Sequence, residues 1–158
     1  TKYSDDFTMP VLTAGKSFIL GYTNEDNGIF KADKKNPAII FDDFTTSFHW
    51  VDFNFKVKSS AMKILQPKNN IDTLFKYIYY AMQCIDYTPQ THSRHWISKY
   101  SQFKIPILSP DMQEFIVKTL DVFTELEAEL EAELEARNKQ LEYHQRNLLN
   151  FKEYDGKQ

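Results

Sequence analysis

At 158 residues, 42% of them hydrophobic, the chain can form one domain with a buried core plus an appended element. A single cysteine, Cys84, excludes an internal disulfide and favours a reducing compartment. Residues 1–109 carry 13 basic and 10 acidic side chains, and residues 110–158 carry 6 and 12. No apolar run approaches transmembrane length and no signal peptide is recognisable, so we expect a cytoplasmic protein.

The first 66 residues predict short β-strands separated by turns. Segments rich in β-branched and aromatic residues alternate with turn formers such as Asn27-Gly28 and Asn36-Pro37. Along residues 51–58 apolar side chains occupy the odd positions and polar ones the even positions, which predicts one half-buried strand. The predicted strands span residues 9–12, 18–22, 29–30, 38–41 and 50–57.

A helix and a long loop follow the strands. Apolar residues recur at intervals of three and four along residues 69–84, which predicts an amphipathic helix. Residues 86–109 are polar and aromatic without a clear period, and a loop of this length in a compact domain is commonly functional or mobile. The sequence therefore predicts an α+β domain with a mixed or antiparallel β-rich half.

A long helix is predicted after this domain. Ser109 suits the N-cap and Pro110 the first helical position, and neither Gly nor Pro recurs before Gly156. Residues 125–135 read E-L-E-A-E-L-E-A-E-L-E, a tract of strong helix formers around regularly spaced leucines. Residues 110–153 would form a rod of roughly 66 Å, far longer than a small globule needs.

An apolar seam along this helix predicts a coiled coil. The seam extends well beyond what a small domain could cover, so a second helix is implied. Its a and d positions are Ile116, Leu120, Phe123, Glu127, Leu130, Leu134, Arg137, Leu141, His144, Leu148 and Phe151.

The charged members of the seam favour an antiparallel pair. Parallel helices would set Glu127 against Glu127 and Arg137 against Arg137 of the second copy. An antiparallel pair centred near Ala132 sets Glu127 against Arg137 and Leu130 against Leu134. Like charges in a poorly solvated seam are the more costly arrangement. We therefore predict an antiparallel homodimer with a two-fold axis near Ala132.

Several segments resemble the specificity subunit of type I restriction–modification enzymes. They are PVLTAGK at 10–16, GYTN at 21–24, IIFDDFT at 39–45, VDFNF at 51–55 and KIPILSPDMQEFIV at 104–117. The last is similar to the family's entry into its spacer helix, where tetrapeptide leucine repeats are common. The resemblance implies a target-recognition domain at residues 1–108, a spacer and dimerisation helix at 109–154, and a tail at 155–158.

Family members usually carry two recognition domains and two spacer helices, whereas this chain has one of each. The resemblance therefore implies a half-subunit that pairs with a second copy and reads a bipartite inverted repeat in double-stranded DNA. It also implies a non-catalytic protein without a cofactor of its own. Its partners would be adenine methyltransferase subunits, which hold S-adenosylmethionine, and a motor-nuclease subunit where one exists. The alternative is a structural coiled-coil dimer with a protein-binding head.

Polar side chains in four turns or loops are candidates for DNA contact. The loop at residues 90–96 is the densest cluster of base-edge donors, and Arg94 is the strongest single candidate. For residues 90–96 the alternative is an ordinary polar loop with Trp96 in the core. For residues 22–24 the alternative is an Asx turn that closes a hairpin. The candidates are Lys16, Ser17, Tyr22, Thr23, Asn24, Thr45, Gln90, Thr91, His92, Ser93, Arg94 and His95.

Catalytic interpretations have weaker support. Asp33-Lys34-Lys35 matches the Asp-x-Lys fragment of some nucleases, but a pattern this short arises by chance and the favoured interpretation is a charged turn. His92 and His95 lack a third ligand at a spacing that metal sites use. With four glycines and no methyl-donor loop, the chain does not encode a methyltransferase. We expect neither a catalytic residue nor a metal site.

Overall fold

The computed structural model describes residues 4, 6–15, 17–68 and 72–149. The chain divides into two compact units, residues 1–113 (the first unit) and residues 114–158 (the second unit). The domain boundaries expected at residues 108 and 154 stay predictions, and the expected tail at 155–158 lies outside the described residues.

The described elements confirm an α+β fold. Seven short strands precede one short helix, a 3₁₀ turn and one long helix. They are β1 (Met9–Leu12), β2 (Ile19–Thr23), β3 (Ile29–Phe30), β4 (Ala38–Asp42), β5 (Phe48–Val51), β6 (Phe55–Val57), β7 (Met62–Leu65), α1 (Phe75–Gln83), the 3₁₀ turn (Tyr100–Gln102) and α2 (Pro110–Leu148).

The strands form two sheets. The first has the order β2-β1-β6-β3, and its only parallel pair among the described strands is β1 with β6. The second has the order β5-β4-β7 and is antiparallel throughout. This mixture of parallel and antiparallel pairs agrees with the predicted mixed sheet.

Strand β4 is central because both of its faces are covered. Ala38 and Ile40 belong to a core cluster that also contains Leu12 and Phe55 of the first sheet. Ile39 and Phe41 belong to a second cluster that contains residues of α1 and of the 3₁₀ turn. Alternate side chains of a strand point to opposite faces, so a strand between two cores is an unbroken apolar run.

The prediction of one strand over residues 50–57 was wrong. Val51 ends β5 in the second sheet, and Phe55 begins β6 in the first. Both side chains are fully buried, whereas Phe53 between them is 38% exposed. Residues 52–54 therefore carry the chain from one sheet to the other, a change that alternation alone does not reveal. Strand β7 was not predicted, because a four-residue strand containing Lys63 gives a weak pattern.

Helix α1 is shorter than predicted, beginning at Phe75 rather than at residue 69; residues 69–71 lie outside the described part. A buried glutamine fixes the chain just before it. Gln113, 1% exposed, accepts a hydrogen bond at Oε1 from the Leu74 N–H at 2.9 Å. Its Nε2 donates to the carbonyl oxygen of Leu108 at 2.8 Å. The first turn of α2 is thereby tied into the first unit.

Helix α2 begins at Pro110, where the sequence predicts it to begin, and its described part contains 39 residues. At 1.5 Å per residue this length corresponds to about 58 Å. None of its described residues from Glu114 onward is buried. Within the described ranges, no helix is both long and apolar enough to cross a membrane.

Candidate nucleic-acid interface

A buried aspartate joins two segments that are distant in sequence. Asp43, 1% exposed, follows β4, and its Oδ1 accepts a hydrogen bond from the Trp96 N–H at 2.7 Å. Its backbone carbonyl accepts from the His95 N–H at 2.8 Å. Its Oδ2 lies 3.4 Å from the Nζ of Lys63 on β7. Asp43 therefore fixes the loop of residues 87–96 (the recognition loop) against the turn of residues 42–47.

His95 faces the protein rather than solvent. The ring is 3% exposed, and its Nε2 lies 2.9 Å from the carbonyl oxygen of Thr91. Since a carbonyl can only accept, Nε2 carries the proton, and Nδ1 lies 2.7 Å from the hydroxyl of Tyr87. In this conformation the His95 side chain bonds to Tyr87 and Thr91 within the loop and stabilises it. From the sequence, His95 was identified only as a candidate for DNA contact.

Four of the predicted DNA-contact residues line one shallow cleft of about 440 Å³. They are Thr45, Gln90, Thr91 and His92, and the cleft is completed by Phe44 and Pro89. The rings of Phe44 and His92 stack with centroids 4.7 Å apart and planes inclined by 10°. The structure thus brings together the turn after β4 and the recognition loop, which the sequence placed about 45 residues apart.

Ser93 and Arg94 continue the exposed side of the recognition loop. The Ser93 hydroxyl lies 2.9 Å from that of Thr91, and the Arg94 carbonyl accepts from the Ser98 hydroxyl at 3.0 Å. Trp96 turns inward, with its ring 4.9 Å from that of Phe41. The loop therefore has an apolar inner side and a polar outer side.

The turn between β1 and β2 is the second candidate group. Ser17 is exposed there, and Lys16 lies outside the described residues. The His49 ring donates from Nε2 to the carbonyl oxygen of Gly15 at 3.1 Å. Because His49 lies on β5, two residues after the 42–47 turn, this bond ties the β1–β2 turn to the second sheet.

The third group, residues 22–24, is divided by burial. Thr23 is fully buried and its hydroxyl accepts from the Glu25 N–H at 3.3 Å, whereas Asn24 is exposed and Tyr22 half-buried. Since Ser17 and Asn24 flank opposite ends of β2, about 17 Å of strand separates these two residues. The structure does not unite all the candidates in one small patch.

An ion pair fixes the segment after Asn24. Lys56 Nζ donates to Glu25 and, at 3.0 Å, to Asn27 Oδ1. The hydrogen bond from Lys56 holds the pKa of the Glu25 carboxyl below its ordinary value of 4.5. Gly28 adopts a φ of 67° at the turn into β3, a conformation that a side chain would disfavour.

The positive charge of the first 109 residues is concentrated in one segment. Residues 1–86 contain 10 basic and 10 acidic side chains. Residues 87–109 contain three basic side chains and no acidic one: Arg94, Lys99 and Lys104. A cationic segment without carboxylates is suited to contact with phosphates.

Asp33, the nuclease alternative, closes a turn. Its Oδ1 accepts from the backbone N–H groups of Lys35 at 2.7 Å and Asn36 at 2.8 Å. These bonds, the one from Asn36 first, lower the pKa of the Asp33 carboxyl. Within the described residues no group of three or more His, Cys, Asp or Glu side chains could hold a metal ion. The geometry of Asp33 is that of a charged turn.

The second unit exposes the predicted seam. Phe123, Leu130, Leu134 and Leu141 are each between 56% and 63% exposed. Phe123, Leu126, Leu130 and Leu134 line a groove of about 530 Å³ along the helix, together with the side chains of Glu127 and Glu131. Ile116 is half-buried, and Leu120 and Leu148 are exposed.

The charged seam position Arg137 pairs within its own helix. Its Nη2 lies 3.2 Å from Glu133 Oε1, and both side chains are well exposed. A pair of this kind contributes about 0.3–0.5 kcal/mol, so Arg137 can exchange it for another carboxylate at little cost.

No protein-family model matches the chain. Over 160 aligned residues the chain is 54% identical to the specificity subunit of the EcoR124I/EcoR124II type I restriction enzyme of Escherichia coli. The chain is a relative of type I restriction specificity subunits. The predicted resemblance is thereby confirmed.

The alignment covers 96% of this chain, so it includes both units. It covers 39% of the relative, so the chain spans about two fifths of the length of the protein it matches.

Proposed function

We propose that this chain is the DNA-recognition component of a type I restriction–modification system. The observation that carries the proposal is the 54% identity to a specificity subunit across both units. The exposed polar side of the recognition loop, which contains Arg94 and no acidic residue, agrees with contact to DNA. The chain itself would be non-catalytic, and its role would be to select the site at which other subunits act.

The second unit pairs, in this proposal, with the same helix of a second copy. Its apolar seam is exposed in the single chain, and burying each large side chain would contribute about 1.5–3 kcal/mol. The antiparallel register is self-complementary about Ala132, as a two-fold axis requires. It sets Phe123 against Leu141, Ile116 against Leu148 and Glu127 against Arg137 of the partner copy.

Two identical reading units related by a two-fold axis would read an inverted repeat. The DNA between the half-sites would be spanned by α2, so its length would depend on the number of Leu-Glu-Ala-Glu units. Each unit of four residues adds about 6 Å of helix. Removing residues 129–132 should therefore shorten the preferred spacer, and an unchanged spacer would contradict this part of the proposal.

The partners in this proposal are double-stranded DNA, a second copy and adenine methyltransferase subunits, with a motor-nuclease subunit where the system has one. S-adenosylmethionine would be held by the methyltransferase subunits, which flip the target base out of the duplex.

Co-expression with an adenine methyltransferase subunit, followed by sequencing of methylated adenines, tests the function. We expect methylation at one bipartite inverted repeat, and none when the chain is omitted. A Leu130→Glu variant should lose the bipartite motif, and a Val122→Glu variant on the outer face of α2 should keep it. Absence of any specific site with a competent methyltransferase would favour the structural coiled-coil alternative.

A further inference from the structure

The cleft between residues 42–47 and the recognition loop combines two kinds of surface. Phe44 and Pro89 supply an apolar wall, extended by the ring of His92 stacked on Phe44. Gln90 and Thr45 supply polar groups at its rim, and both are exposed. An amide beside an apolar surface is a combination of side chains that can recognise one particular base pair.

In the major groove a glutamine amide pairs with N6 and N7 of adenine, and apolar side chains contact the C5-methyl group of thymine. Both features belong to an A·T pair, whereas a G·C pair has no methyl group. We propose that this cleft reads one A·T base pair in each half-site, with Gln90 bonding the adenine and Phe44 contacting the thymine methyl. This inference rests on the proposed function in DNA recognition.

The cleft is built to hold Phe44 in place. The carboxylate of Asp42 accepts hydrogen bonds from the backbone N–H groups of Phe44 at 2.8 Å and Thr45 at 2.9 Å. The His92 ring stacks on the Phe44 side chain, so the backbone of Phe44 and one face of its ring are both held. A restrained apolar contact loses little conformational entropy on binding.

Gln90 is held more loosely. Its Nε2 donates to the carbonyl oxygen of Thr88 at 3.3 Å, a long bond between exposed groups. Exchanging this bond for one to adenine costs little, because both of its groups are exposed to water and the bond is long. The amide can therefore turn to a base edge without disturbing the fold.

The distance between the two reading groups depends on Asp43. Phe44 follows it directly in the chain, and the recognition loop is attached to it through the N–H groups of His95 and Trp96. Asp43 is buried and cannot itself reach DNA, so it is a positioning residue. The inference thus assigns specificity to Gln90 and Phe44, and their mutual placement to Asp43.

Methylated-adenine sequencing tests the role of Gln90 in the full chain co-expressed with its methyltransferase subunit. In the wild type each half-site should contain an A·T pair besides the one that is methylated. Gln90→Ala should make one such position degenerate, with discrimination falling about 5- to 150-fold. Gln83→Ala, an exposed glutamine on α1, should leave the motif unchanged. A motif unchanged by Gln90→Ala would overturn the inference.

Replacing thymine by deoxyuridine tests the role of Phe44 directly. A duplex carrying uracil at the Gln90-dependent position lacks only the methyl group, so the wild-type complex should bind it more weakly than the thymine duplex. Phe44→Ala should bind the two duplexes equally. Phe53→Ala, at a partly exposed phenylalanine outside the cleft, should discriminate like the wild type. Equal binding of both duplexes by the wild type would overturn the methyl contact.

The methylated DNA motif of Asp43 variants distinguishes a positioning role of this residue from a purely structural one. Asp43→Asn retains an oxygen acceptor for the Trp96 N–H and should keep the motif, whereas Asp43→Ala should broaden the same position that Gln90→Ala broadens. Thermal unfolding of each variant is measured alongside. An Asp43→Ala variant that is less stable but keeps the wild-type motif would overturn the positioning role.

These outcomes distinguish the inference from the proposed function. A wild-type complex that methylates no bipartite site contradicts the proposed function itself. A wild-type complex with a clear bipartite motif that Gln90→Ala leaves intact contradicts only the assignment of the cleft.

Discussion

The two units of this chain use their apolar residues in opposite ways. The first unit buries its large side chains in two clusters on either side of β4. The second unit buries none of its described residues, although Phe123, Leu130 and Leu134 are as apolar as the core. A fold that closes on itself needs no partner, whereas an amphipathic helix of this length gains most of its stability from tertiary or quaternary packing.

The largest expected effect is on the second unit. Leu130→Glu combined with Leu134→Glu would place four charges in the seam of the proposed dimer, and we expect its dissociation constant to rise by at least about 10,000-fold. Sedimentation equilibrium measures this. The matched control is Val122→Glu, which changes an equally exposed valine outside the seam. Unchanged self-association of the double variant would show that α2 pairs through another face.

The next effect is confined to the first unit. Phe41 is fully buried and contacts the rings of Trp96 and Tyr100, so Phe41→Ala should cost about 3–5 kcal/mol of its stability. Chemical denaturation followed by tryptophan fluorescence reports this loss, because both tryptophans lie in the first unit.

The control for Phe41→Ala is Phe53→Ala. Because Phe53 is 38% exposed, its substitution should reduce the stability of the first unit far less. Dimerisation through α2 should persist in both variants. Loss of dimerisation in Phe41→Ala at concentrations where the variant is folded would show that the two units are not independent.

A charge reversal tests whether the two helices pair in the antiparallel orientation. In the antiparallel register Glu127→Arg faces Arg137 of the partner copy, and we expect dimer affinity to fall about 10-fold. Adding Arg137→Glu to the same chain should restore it. In a parallel pair each residue faces itself, so the single reversal would leave affinity nearly unchanged. Analytical ultracentrifugation of the three proteins distinguishes the two arrangements.

The smallest expected effect concerns the ion pair between Lys56 and Glu25 in the first unit. Lys56→Met removes the main cause of the lowered Glu25 pKa, so that pKa should rise towards 4.5. A lowered pKa in the folded state contributes stability at neutral pH that is lost as the pH falls through it. The variant should therefore lose less stability between neutral pH and pH 4. Side-chain carbon NMR measures the titration, and Lys31→Met, an exposed lysine, is the control.

Much of the first unit could be predicted from short-range patterns. β1 and β3 have the predicted limits, β2 is shifted by one residue and β4 ends one residue later than predicted, because β-branched runs between turn formers are local signals. The crossing between sheets at residues 52–54 could not be predicted, since alternation records only which side chains are buried. It does not record which sheet buries them.

The candidate site was predicted only as a set of polar residues. Gln90, Thr91 and His92 were recognised by their chemistry, but their meeting with Thr45 depends on Asp43, an ionisable residue of a type that is usually found at the surface. His95 and Thr23 belong to the same chemical class and lie inside the fold. Side-chain type indicates which bonds a residue can form, and the fold decides whether it forms them with the protein or with solvent.

The sequence by itself determined the long helix, its start at Pro110 and its apolar seam, because helix propensity, capping and heptad spacing are all local. Only the tertiary structure decided that β5 and β6 lie in different sheets and that one buried carboxylate fastens the recognition loop to the turn after β4. The physical reason is that hydrogen bonds between distant segments form only where the fold brings those segments together. The type of a residue does not indicate which distant residue it will contact.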